Sequence, residues 1–317
     1  MSTTSHGNLA RWYLSLSRHL DAGLSLVQGI RSIEGPPSRD RERLADALAS
    51  GVDLDSVLES APPWLSETDR QLISAGHGSG TLPETLRQMA GQHQTRQRAF
   101  RAVVGACLYP LFVLHFAVLV LPAGQLMTGT IADDLRSVLG LLLPFWAVLL
   151  LLAAGIRWRV RPLLRLGDWL PGIRGYRRFG ALRDVCLVLR AFLSAGCRLD
   201  EAWYGACQAT GRRAYVEAGV RCAATIQAGA PPSGVLPELA LFPAEFIQVY
   251  RNGEETGKLE ESLRYLEEEY GLKASASLAS ASFWYPKLIF LIIALFMAWQ
   301  VVQFYAGYFE TIEGMLE

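Results

Sequence analysis

The sequence predicts an all-α polytopic membrane protein with two homologous helical-bundle domains, of about six helices each, and three transmembrane helices. One stretch of the chain occurs twice, 177 residues apart, which indicates a duplicated domain rather than a short solenoid repeat. Three long runs of the chain are apolar and almost free of charged residues. Elsewhere apolar residues recur at helical spacing, and almost no segment shows the alternation expected of a strand.

The repeated stretch carries two glycines, a leucine pattern and a Tyr-Pro pair. In the second copy these residues are Gly253, Gly257, Leu259, Leu263, Tyr285 and Pro286. In the first copy they are Gly76, Gly80, Leu82, Leu86, Tyr109 and Pro110. Because both copies keep the same spacing, we predict that each forms a helix, a tight corner at the glycines and a second helix that leads into an apolar run.

The glycine corner is the most distinctive local feature of the sequence. Gly253 suits the left-handed position just past a helix end, and the leucines after Gly257 fall on one face of the next helix. The residues Glu254, Glu255 and Thr256 then lie inside the corner, where neither helix requires a carboxylate. They are either a solvated turn or a contact surface, and weak binding of a divalent cation by Glu254 and Glu255 is a further alternative.

The apolar runs divide the chain. Each run is long enough to cross the roughly 30 Å hydrocarbon layer of a bilayer as a helix. The predicted segments are a first helical domain at 1–101, a transmembrane helix at 102–127, a loop at 128–137, a second transmembrane helix at 138–156, a second helical domain at 157–282, a third transmembrane helix at 283–309 and a tail at 310–317.

The charges that flank these runs predict the orientation of the chain. Arginines precede the first run and four more follow the second, whereas the loop at 128–137 and the tail at 310–317 are mainly acidic. Positively charged flanks remain in the cytoplasm. Both helical domains are therefore predicted to be cytoplasmic, with the N-terminus inside and the C-terminus outside.

Composition and motifs argue against several functions. The formal net charge is zero, which argues against nucleic-acid binding. The segment from Gly253 to Lys258 fails as a phosphate-binding loop because Leu259 follows the lysine where serine or threonine is required. The five histidines form no pair at i and i+4 that could bind a metal. We therefore predict no enzyme, no catalytic residues and no cofactor.

His115 leaves one alternative open. It lies within the first apolar run, where a polar side chain is costly and can mark a proton path. A small membrane-embedded enzyme or ion-coupled carrier that uses His115 is thus the alternative function. The simpler interpretation is a hydrogen bond between helices, with Gln300 or Gln303 as partner.

At these residues the sequence resembles the type II secretion system F family. The segment from Gly253 to Leu263 is close to the family pattern Gly-Glu-x-Ser/Thr-Gly-x-Leu-x3-Leu, and Phe242-Pro243 precedes it. The two Tyr-Pro pairs, the duplication and the three apolar runs match the family as well. The first copy departs from the pattern, because His77 stands where the family usually has glutamate.

The resemblance implies a non-enzymatic platform protein of the bacterial inner membrane, in a type II secretion or type IV pilus machine. Members of the family contact a cytoplasmic hexameric assembly ATPase and other inner-membrane components. They are thought to couple nucleotide-driven motion to the assembly of pilins or pseudopilins and to protein export. The implied partners are therefore that ATPase, other platform components, pilins or pseudopilins, further copies of this chain and membrane lipid.

Overall fold

The computed structural model describes residues 5–120, 146–147, 150–151, 154 and 172–316. Every regular element within these residues is helical, so the all-α prediction is confirmed for them. The loop predicted at 128–137 and most of the transmembrane helix predicted at 138–156 lie outside the described residues.

The first repeat contains six α-helices, as the sequence predicts. They are α1 (His6–Asp21), α2 (Leu26–Ser32), α3 (Ser38–Ala49), α4 (Leu54–Glu59), α5 (Glu67–Gly78) and α6 (Leu82–Val120). Serine side chains begin several of them: Ser25 forms a capping box with Gln28, and Ser66 accepts a hydrogen bond from the backbone of Asp69. Helix α6 continues through the boundary predicted at residue 101.

The second repeat keeps the same order with one change. Its α-helices are α7 (Ile173–Ser194), α8 (Leu199–Gln208), α9 (Arg213–Gln227), α10 (Ala244–Thr256) and α11 (Leu259–Leu316). Two short 3-10 helices, Pro232–Gly234 and Leu236–Leu239, stand where α4 stands in the first repeat. Pro237 contributes to the change, because a longer helix that begins at Pro232 would need the backbone N–H that Pro237 lacks.

The two repeats, predicted as separate domains, lie together in one compact unit formed by residues 1–99 and 176–275. A continuous cluster of buried apolar side chains runs through both repeats. Helix α5 meets the end of α8, where the buried Thr68 hydroxyl donates to the Ala209 carbonyl at 2.9 Å. Helix α6 also meets α7, through an ion pair of 3.5 Å between Arg96 and Asp184.

The second compact unit comprises residues 100–175 and 276–317. Its described side chains include many large apolar groups that are exposed, such as Phe112 at 68% and Leu295 at 63%. Across the ranges that the structure describes, no helix meets the combined requirement of length and apolar character for crossing a membrane.

Candidate functional site

The glycine corner of the second repeat joins the end of α10 to the start of α11. Helix α10 continues through Gly253, Glu254 and Glu255 to Thr256, and Gly257 then caps it with a φ of 69°. The prediction that Gly253 takes the left-handed position is therefore wrong, and so is the placement of the two glutamates outside a helix. Gly257 supplies the positive φ, because a residue without a Cβ adopts that conformation at little cost.

Gly253 instead allows α11 to pack closely against α10. It is buried, and a Cβ atom at this position would lie 2.5 Å from the Ser262 hydroxyl oxygen and 3.2 Å from the Leu259 Cα. Non-bonded heavy atoms normally approach to about 3.5–4.0 Å. The crossing of the two helices thus requires the smallest residue at 253.

The first repeat builds the same contact from different residues. Gly76 is buried in α5, and a Cβ atom there would lie 2.6 Å from the hydroxyl oxygen of Thr85 on α6. Gly80 follows the helix with a φ of 71°. Thr85 and Ser262 occupy equivalent positions, 177 residues apart. The internal repeat is therefore present in side-chain packing as well as in sequence.

The leucines of the signature lie in the core, as their spacing predicts. Leu86 and Leu263 are almost completely buried, and Leu82 is buried as well. Leu259 is partly buried and packs against the same core. These leucines hold α6 and α11 on the helices that precede them.

The polar residues of the second corner differ in exposure. Glu255 and Thr256 are exposed, and the Thr256 hydroxyl donates to the Asn252 carbonyl at 2.6 Å. Glu254 is half-buried, and one of its carboxylate oxygens is buried without a hydrogen-bond partner among the described residues. Within the same residues, no group of three or more histidine, cysteine or acidic side chains is arranged to hold a metal ion.

The Tyr-Pro pairs lie inside the two long helices. Pro110 interrupts the backbone hydrogen bonding of α6, and Pro286 does so in α11. Tyr109 is exposed at 67%, and its ring stacks on Phe290 with a centroid distance of 6.2 Å. The first pair is therefore connected to α11, four residues beyond Pro286.

The ring nitrogens of His115 both make hydrogen bonds. Nδ1 lies 2.7 Å from the Leu111 carbonyl, and Nε2 accepts from the Trp146 indole at 3.2 Å. A neutral imidazole with the proton on Nδ1 satisfies both contacts. Trp146 is thus a distant hydrogen-bond partner of His115, and the predicted bond to Gln300 or Gln303 stays a prediction because those side chains lie outside the described residues.

Comparison with known proteins decides the family. A family model described as "Type II secretion system (T2SS), protein F" matches residues 12–128 and again residues 185–306. The chain belongs to the type II secretion system protein F family. The two matches begin 173 residues apart, in agreement with the duplication.

Two relatives of this F-family chain are pilus proteins. The type 4 fimbrial assembly protein PilC of Pseudomonas putida is 27% identical, over 93% of this chain and 81% of the relative. The type IV pilus assembly protein PilC of Pseudomonas aeruginosa is 21% identical, over 96% of this chain and 89% of the relative.

Outside the family signature, a buried polar cluster in the first repeat went unrecognised in the sequence. His93 on α6 lies 3.1 Å from the Asp69 carboxylate on α5, and its other ring nitrogen lies 2.9 Å from His6 on α1. The Tyr13 hydroxyl is also buried there, beside Asp69, without a hydrogen bond of good geometry among the described residues. The one available signal was His93 at a position where the helical pattern otherwise places apolar residues.

Proposed function

We propose that this chain is a non-enzymatic platform protein of the inner membrane, in a type II secretion or type IV pilus machine. The observation that carries the proposal is the double match to the F family, together with the two glycine corners of equal packing. The two PilC relatives favour pilus assembly as the setting. In this role the compact unit of paired repeats is the cytoplasmic part of the protein.

Membrane insertion through three helices is part of the proposal. Its support is the three apolar, almost uncharged runs of the sequence and the large apolar side chains exposed in the second compact unit. Contiguous exposed apolar surface is typical of a membrane or partner contact. Positively charged flanks predict the N-terminus and both repeats in the cytoplasm and the C-terminus in the periplasm.

The proposed partners are a cytoplasmic hexameric assembly ATPase, other inner-membrane platform components and pilins or pseudopilins. Coupling to the ATPase requires a surface that can bind a partner and that lies outside the hydrophobic core. The exposed end of α10 fits this requirement, since Glu255 and Thr256 face solvent next to a rigidly packed crossing of α10 and α11. We therefore assign the partner contact to Glu254 and Glu255.

A double substitution tests this assignment. Glu254→Ala with Glu255→Ala removes one exposed carboxylate and one whose buried oxygen has no partner in the described structure, so folding should not suffer. We expect unchanged membrane level and thermal stability but at least a severalfold loss of ATPase co-purification and of pilus or secretion output. His77→Ala at the equivalent exposed position of the first repeat is the matched control and should retain both.

The two measurements are read together. Loss of stability in parallel with loss of assembly would mean that the carboxylates serve the fold, and the contact surface would have to lie elsewhere.

Reporter fusions test the topology separately: those near Asp133 and after Glu317 should report the periplasm, and those near Ser50 and Gly229 the cytoplasm. A periplasmic signal from Ser50 would overturn the membrane arrangement.

A further inference from the structure

The His6–His93 contact joins the first turn of α1 to α6. The two Nδ1 atoms lie 2.9 Å apart, and the rings are 5.1 Å apart between centroids. The Nε2 atom of His93 lies 3.1 and 3.2 Å from the two carboxylate oxygens of Asp69, so it carries a proton that it donates to them. One further proton must then be shared between the two Nδ1 atoms.

The second repeat fills the same place with aromatic side chains. There the ring of Phe179 on α7 stacks on that of Tyr270 on α11 with a centroid distance of 6.2 Å. The ring of Phe246 on α10 also lies 6.2 Å from that of Tyr270. No group in that trio changes its charge near neutral pH. The residues equivalent to His6, Asp69 and His93, at offsets of 173 to 177, are Phe179, Phe246 and Tyr270.

The cluster of His6, Asp69 and His93 in the first repeat is sensitive to added protons because of burial and the charged groups around it. Partial desolvation, followed by the proximity of His93 and Arg96, lowers the pKa of His6, and only Asp69 acts in the opposite direction. Burial favours a raised pKa for Asp69, but the hydrogen bond and charge of His93, together with Arg96 and the hydrogen bond of Ser66, outweigh it and lower that pKa. The titratable and charged groups around the contact are Tyr13 on α1, Asp69 on α5, His93 and Arg96 on α6, and Asp184 on α7.

We propose that the His6–His93 contact is an acid-sensitive device that holds the start of α1 on α6 at neutral pH and releases it on acidification. When both imidazoles are protonated, each Nδ1 carries a hydrogen and neither can accept, so the hydrogen bond is lost. Two imidazolium charges and Arg96 then face a single ionised carboxylate, Asp69. One added proton leaves one Nδ1 able to accept, so the contact survives it, and a second added proton breaks the contact.

Release at His6 also affects the contact between the repeats. Arg96, which repels a protonated His6, is the residue that pairs with Asp184 of the second repeat. The first turn of α1 packs nearby, because a Cβ atom at Gly7 would overlap the Gln97 side chain on α6. Acidification is thus expected to loosen the first turn of α1 and the neighbouring edge of the contact between α6 and α7, while the aromatic cluster of the second repeat is unaffected.

Hydrogen exchange of the full chain in lipid nanodiscs tests the device. Because the folded pKa of His6 is lowered, the contact is fully stable above the ordinary histidine pKa of about 6.5 and weakens as the pH falls below it. We expect protection in the first two turns of α1, corrected for intrinsic exchange, to fall about tenfold between roughly pH 7.5 and pH 5.5. The equivalent turns of α7 should keep their protection.

Two substitutions isolate His6. His6→Asn retains an N–H donor for His93 without a titratable group, and His6→Phe restores the residue of the second repeat; either should remove the pH dependence. His77→Asn, at an exposed histidine on α5, should leave it unchanged. Constant protection in the unmodified chain over this pH range would overturn the inference, as would a pH dependence that persists in both His6 variants.

Discussion

Gly253 of α10 lies directly against Ser262 of α11, so closely that a Cβ atom at 253 would come within 2.7 Å of the serine Cβ. The equivalent pair in the first repeat, Gly76 and Thr85, shows the same approach. The family signature therefore encodes a helix crossing at its first glycine and a helix end at its second. Because the two glycines have different structural roles, substitutions at Gly253 and at Gly257 should have different effects.

Gly253→Ala should destabilise the protein. Alanine in a helix interior gains about 1 kcal/mol over glycine, but overlap with Ser262 and the Leu259 backbone costs about 1–3 kcal/mol, so a net loss is expected. Chemical denaturation of the purified protein measures it. Adding Ser262→Gly removes most of the overlap and should recover part of the loss, which a double-mutant cycle detects. A simple gain in stability for Gly253→Ala would contradict the crossing.

The effect of substitutions at Gly257 on stability should come from the backbone conformation alone. No atom lies within 4 Å of a Cβ placed there, yet its φ of 69° is strained for other residues. Gly257→Ala should therefore cost about 1 kcal/mol, Gly257→Asn less because asparagine tolerates this conformation, and Gly257→Val more. Shifts in the denaturation midpoint should follow the order Asn, Ala, Val, and Gly80 offers the same series in the first repeat. A loss for asparagine as large as that for valine would mean that the left-handed backbone conformation does not set the cost at this position.

The helix order and the buried leucines could be predicted because both depend on local spacing. A period of 3.6 places Leu82, Leu86 and Leu263 on the faces that the structure buries. The role of Gly253 could not be predicted in this way. A Gly-x3-Gly pattern offers two candidates for a left-handed position, and only the approach of Ser262 from the next helix shows which glycine serves packing.

The buried cluster of the first repeat depends on contacts that are distant in sequence. His93 meets Asp69 across 24 residues and His6 across 87. No periodic pattern links these positions. A position-by-position comparison of the two repeats could have shown that the first has polar residues where the second has aromatic ones. His93 stands at the position equivalent to Tyr270, and histidine is less common in a core than the apolar residues are.

Thr68→Val tests the packing of the two repeats against each other. The substitution preserves shape but removes the donor to the buried Ala209 carbonyl, which is then left without its partner. We expect a loss of about 1–3 kcal/mol in the free energy of unfolding. Thr95→Val is the matched control, because the Thr95 hydroxyl bonds to the Gly91 carbonyl at an exposed position and its loss should cost about 0.5 kcal/mol or less. Equal effects of the two substitutions would argue against a buried contact between the repeats.

An apolar cavity of about 40 Å³ lies in the core of the first repeat, and it predicts a stabilising substitution. Val57 lines the cavity and is itself buried. One added methyl group fits this volume, so Val57→Ile should stabilise the protein by up to about 1 kcal/mol through extra burial and better contact.

The matched control for this substitution is Val188→Ile in α7. Val188 is fully buried and does not line the cavity, so the same added methyl group has to displace its neighbours, which costs about 1–3 kcal/mol. Opposite shifts in the denaturation midpoint, at an unchanged denaturant dependence, are therefore expected for the two valines. A loss of stability for Val57→Ile as large as that for Val188→Ile would mean that the cavity walls cannot accept a methyl group.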